Sequence, residues 1–122
     1  MKRLMIWFSV TVLLIGLTTC VCAQNTPDPD FDEARELLKT RDIEANKQAI
    51  GLLEKIVARQ PDNLAAHLTL AQAYANFLGF AALPPKQRYL KVRSEAEKAL
   101  SLDANSAAAH RMLGVAALNS WH

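Results

Sequence analysis

The sequence predicts an all-α chain, and three observations carry that prediction. Apolar residues recur at spacings of three and four along residues 31–122, the period of a helix with one buried face. No stretch of useful length alternates apolar with polar residues, and no hairpin dipeptide such as Asn-Gly occurs. The chain also repeats itself at an offset of 43 residues. Glu54-Lys55 meets Glu97-Lys98, Asp62 meets Asn105, Ala65-Ala66-His67 meets Ala108-Ala109-His110, Leu70 meets Leu113, Ala73 meets Ala116, and Asn76 meets Asn119. Such a correspondence marks one supersecondary unit used twice.

The N-terminus is set apart from this pattern. Lys2 and Arg3 precede an uncharged, strongly apolar run from Leu4 to Ala23, the organisation of a secretory signal peptide. Small residues at Val21 and Ala23 put cleavage before Gln24, so residues 1–23 are expected to be removed during export to the periplasm or beyond. The run also approaches the length that spans a bilayer, which gives an uncleaved N-terminal anchor in the inner membrane as the alternative. Leu17-Thr18-Thr19-Cys20 approximates a lipoprotein box, with Thr19 where Gly, Ala or Ser is usual. Both cysteines, Cys20 and Cys22, fall inside this segment, so the remaining domain has no disulfide to form. The formal net charge of +2 falls to zero without Lys2 and Arg3. That balance lacks the basic stripe needed to track a phosphate backbone, and nucleic acid is not an expected partner.

Residues 24–30 (QNTPDPD) form a polar spacer, and Asp30 with Glu33 has capping-box spacing, placing a helix start near Phe31. Phe31, Ala34, Leu37 and Leu38 share the apolar face of this helix. A charged turn over residues 41–46 leads to a second helix with Ala49, Leu52, Leu53, Ile56 and Val57 on its buried side. A third follows with Leu64, Leu68, Leu70, Ala71 and Tyr74. The breakers Gly79 and Pro84-Pro85 end the next stretch, and Pro85 suits the first turn of a fourth helix near Lys86. After His110 a last helix carries Met112, Leu113, Ala116, Ala117 and Trp121.

At these positions the chain resembles the tetratricopeptide repeat, whose period is about 34 residues and whose first helix reads W-x₂-L-G-x₂-Y. His67-x₂-Leu70-Ala71-x₂-Tyr74 and His110-x₂-Leu113-Gly114-x₂-Ala117 match that half, with His in place of Trp. Ala49-x₃-Leu53-x₂-Ile56 closing at Pro61, and Val92-x₃-Ala96-x₂-Ala99 closing at Ala104, match the second half. The resemblance implies helix-turn-helix repeats over 31–63, 64–106 and 107–122, stacked as a short right-handed α-solenoid. It also implies that His67 and His110 pack inside helix pairs as the family's aromatic residue does. A shared metal site is the competing reading, but neither histidine has a second His or Cys at i+4.

The offset exceeds the family period by about nine residues, and the excess lies in FLGFAALPPKQRY, with Phe77, Leu78 and Phe80. These either lengthen the helix pair as core or form an exposed lip beside a groove. The resemblance further implies a concave surface lined by the first helix of each repeat. Carried onto this chain, the groove is Leu68, Gln72, Ala75 and Asn76, then Arg111, Val115, Leu118 and Asn119. The carboxylate-clamping set of cations and amides found in some members is not visible.

Chemistry has few candidates. Acids such as Asp32, Glu33, Glu95 and Glu97 are expected on solvated faces, no Ser or Cys has a His partner in the pattern, and the four glycines are isolated. No catalytic residue, cofactor or metal is therefore expected. The sequence points to a non-catalytic scaffold for a protein or peptide partner in the bacterial envelope. Alternatives are a subunit that self-assembles through an apolar C-terminal face of Met112, Leu113 and Trp121, or a small-ligand carrier of an envelope transport system.

Overall fold

The structure, a computed structural model, describes residues 28–76 and 83–120. The apolar N-terminal segment with Cys20 and Cys22, the first part of the spacer, Phe77, Leu78 and Phe80 of the insertion, and Trp121 lie outside them. The described residues form five α-helices and no strand: α1 Pro29–Lys39, α2 Ile43–Arg59, α3 Leu64–Asn76, α4 Pro85–Leu102 and α5 Ala107–Asn119. No helix among them is long and apolar enough to cross a membrane.

The first helix starts two residues before its predicted position. Asp28, not Asp30, is the cap, and its carboxylate accepts the Asp30 N–H at 3.1 Å. Pro29 follows at the first helical position, where its fixed φ suits a helix and its missing N–H costs nothing. Asp30 is thereby released from capping, and its carboxylate accepts from Arg59 at 2.9 Å, fastening the start of α1 to the end of α2. The predicted charged turn is also shorter, because Asp42 caps α2 by accepting the Ala45 N–H at 2.9 Å. Arg41, in the left-handed region at φ 56°, makes the reversal.

The 43-residue offset reappears in the backbone. α3 and α5 are both 13 residues long and start and stop at equivalent positions. The turns before them are wound alike: the Gln60 N–H donates to Ile56 O at 2.8 Å and the Asp103 N–H to Ala99 O at 2.9 Å. Asn63 then caps α3 by accepting the Ala66 N–H at 3.0 Å, as Ser106 caps α5 by accepting the Ala109 N–H at 3.3 Å. An amide and a hydroxyl satisfy the same orphan donor.

Successive helices pack on one another, and α3 also touches both α1 and α5. The odd-numbered helices therefore form one row, with α2 and α4 against it. Small residues permit the approach: Ala49, Ala66, Ala71, Ala96 and Ala99 are all completely buried. Leu53, Ile56, Leu70 and Val92 fill the remaining space, each stabilising by about 1.5–3 kcal/mol through area removed from water. Phe31, Leu37, Leu38, Leu52 and Val57 lie against this core, on the faces that the apolar spacing assigned them.

Candidate partner-binding surfaces

A polar cluster runs through the middle of the molecule. His67 is 5% exposed. Its Nε2 donates to the Pro61 carbonyl at 2.8 Å, and its Nδ1 lies 2.6 Å from a Glu95 carboxylate oxygen. Both ring nitrogens are thus held by hydrogen-bond partners within the protein, and neither is left open to a metal. Glu95 is thus not the freely solvated acid that the sequence suggested; it is half-buried where α4 crosses α3. Nearby, the Tyr74 hydroxyl donates to Glu54, and Lys91 reaches the same carboxylate at 3.2 Å and the phenol oxygen at 3.1 Å. The Lys91 ammonium also sits 5.0 Å from the centre of the Tyr74 ring. Burial first, then the bond to Glu54 and the negative charges of Glu54 and Glu95, push the phenol well above its ordinary value of 10.0. This cluster fastens α2, α3 and α4, and its residues line neither of the two concavities described below.

His110 copies half of the arrangement. Its Nε2 donates to the Ala104 carbonyl at 3.0 Å, the counterpart of the His67 bond to Pro61. Its ring, expected inside a helix pair, is exposed, because α4 lies over His67 and no described helix lies over His110.

The predicted groove residues divide. A concavity of about 200 Å³ between α3 and α5 gathers Leu68, Gln72 and Arg111, together with Thr69, Ala108 and Met112. Asn76 is exposed beyond it and accepts from Gln72 at 3.0 Å. Val115 packs against the core, and Ala75 is buried. Asn119 turns back on its own helix, donating to Val115 O at 2.8 Å, and lines a different concavity. The two asparagines paired by the duplication therefore do not converge on one concavity. Met112, assigned from sequence to an open face, is 5% exposed within the core, since its helical phase turns it toward α3.

That different concavity is the larger of the two, about 1080 Å³ between α4 and α5. Leu113, Ala116 and Ala117 of α5 line one side of it. Pro85, Lys86, Arg88, Tyr89, Leu90, Arg93 and Glu97 of α4 line the other. Arg88 stacks over Tyr89, 5.1 Å from the ring centre, and Arg93 donates to Glu97 at 2.8 Å. Leu90 is exposed at the rim, as is Leu118 farther along α5. The periodic pattern did not single out this surface. Its signal lies in the comparison between copies: Ile43, Ala45 and Ile50 become Lys86, Arg88 and Arg93 at the same offset.

Among the described residues no group of three or more His, Cys, Asp or Glu side chains converges as a metal site would require. Comparison of the chain with protein-family models, with curated proteins and with solved structures gave no match in any of the three.

Proposed function

We propose that this chain is a repeat module of the tetratricopeptide type, stacked as a short right-handed solenoid, and that it works without catalysis as a scaffold for a protein partner in the bacterial envelope. The observation that carries this is the placement of the duplicated helices. α3 and α5, equivalent in sequence, cap and length, lie side by side with Leu68, Gln72 and Arg111 exposed to one shallow groove between them. Such a groove offers an apolar contact, an amide that both donates and accepts, and a guanidinium, which together suit an extended peptide carrying a carboxylate. The envelope location rests on Lys2, Arg3 and the apolar run to Ala23.

Capture from envelope extract tests the scaffold role, with the full chain as bait beside its Gln72→Ala, Arg111→Ala variant. A partner held by the groove is retained by the first and lost from the second, with unchanged helicity of both baits. Identical captures would contradict the assignment of the groove. N-terminal sequencing of the exported chain addresses location separately: a start at Gln24 supports cleavage, and a retained Leu4–Ala23 segment in the membrane fraction supports the anchor.

A further inference from the structure

The concavity between α4 and α5 is the open counterpart of an interface that the molecule fills elsewhere. Leu70, Ala73 and Tyr74 of α3 are buried, with α4 packed along that helix. Their equivalents, Leu113, Ala116 and Ala117, line the large groove, where Leu113 is half-buried and Ala117 exposed. The internal case shows what such a floor accepts: α4 brings Val92 and Ala96, both completely buried in the same core cluster as Leu70, Ala73 and Tyr74, and sets Lys91 on Tyr74 and Glu95 on His67 beside them.

The rim differs from the internal interface in charge. Where the first copy has Ile43, Ala45 and Ile50, the groove has Lys86, then Arg88, buried against Tyr89, and Arg93, ion-paired with Glu97, which is the one carboxylate among the described lining residues. Lys86 and Arg93 are exposed. A second copy meeting this groove with the same face would set these cations against their own equivalents, which an isologous contact penalises. Meeting it with α1 would bring Asp32, Glu33, Arg35, Glu36 and Lys39, the exposed and wholly charged side of that helix, onto an apolar floor.

We propose that the α4–α5 groove receives an amphipathic helix of a partner protein, with small apolar residues on the floor and carboxylates along the basic rim. This surface is separate from the α3–α5 groove, and the two leave room for two different segments. Helix-in-groove recognition supplies the general physics: apolar anchors at i, i+3, i+4 and i+7 give affinity, and rim charges give orientation and rate.

Two synthetic peptides with the same Val and Ala stripe, one flanked by Glu and one by Lys, test this by fluorescence anisotropy against the full chain. The Glu-flanked peptide is expected to bind, more weakly as salt rises, and the Lys-flanked peptide about tenfold less tightly or worse. Lys86→Glu with Arg93→Glu should lower affinity for the acidic peptide about tenfold. Lys86→Glu alone, at an exposed position in the first turn, should give a smaller loss in the same direction. Lys55→Glu, exposed on α2, makes the same change in net charge and should leave binding as it was. Absence of binding by either peptide, equal binding of both, or equal losses from Lys55→Glu and Lys86→Glu would each overturn the proposal.

Discussion

α3 and α5 follow the same local instructions and meet different surroundings. Their capping bonds, turn bonds and lengths agree at every position compared, yet seven residues of α3 are buried against three of α5. Leu70 is 1% exposed where Leu113 is half-buried, and His67 lies under α4 where His110 faces solvent. The contrast separates two layers of folding. Helix start, stop and phase come from residues within one turn, whereas burial comes from whichever helix lies across. A duplication copies the first layer; the second depends on position in the row.

Substitutions at equivalent positions sharpen or break this contrast, and the largest effect belongs to the leucines. Leu70→Ala should destabilise by about 2–5 kcal/mol, the cost of a core truncation that leaves a cavity. Leu113→Ala should cost about 1 kcal/mol, because part of the side chain is already in water. Urea unfolding of the two variants measures this, and equal losses would mean that the two leucines are equally covered.

The histidines come next. His67→Ala leaves a half-buried Glu95 carboxyl group and the Pro61 carbonyl without their hydrogen-bond partner, an expected loss of about 1–3 kcal/mol. His110→Ala removes one exposed bond and should cost less than about 1 kcal/mol. Thermal melts monitored by circular dichroism rank the pair.

Tyr74 comes last, with a modest effect and a signature in pH. Its folded phenol holds its proton above the ordinary value of 10.0, whereas the unfolded chain releases it there. The stabilisation is therefore complete below pH of about 10 and declines as pH rises past that value. Tyr74→Phe should lose about 1 kcal/mol near neutrality and show a shallower decline above a pH of about 10. A titration of unfolding free energy in both proteins reads the difference; parallel alkaline limbs would place Tyr74 outside the linkage.

Much of the fold was legible because it is encoded locally. The apolar faces of α1 and α2 were readable from spacing, and the extent of α5 from that of α3 through the offset. The cap of α1 was misplaced because two aspartates compete for it. Pro29 decides between them, since a proline after Asp28 occupies the first helical position and leaves Asp30 to bind Arg59. The site was less legible. Leu68, Gln72 and Arg111 do converge, but Asn119 folds onto Val115, and the Glu54–Tyr74–Lys91 contacts join three helices at sequence separations that no periodicity encodes. The basic rim was present in the sequence as the change from Ile43, Ala45 and Ile50 to Lys86, Arg88 and Arg93. Its meaning needed the groove.

Residue-resolved amide hydrogen exchange under native conditions compares the two copies most directly. Helices equal in local code and unequal in cover should differ in protection: α3, enclosed by its neighbours, should exchange through the largest openings of the molecule, and α5 through smaller ones, with earlier exchange around Leu113 and Ala117 than around Leu70 and Tyr74. Equal protection of α3 and α5 would contradict the account, because it would mean that the face of α5 is covered as completely as that of α3.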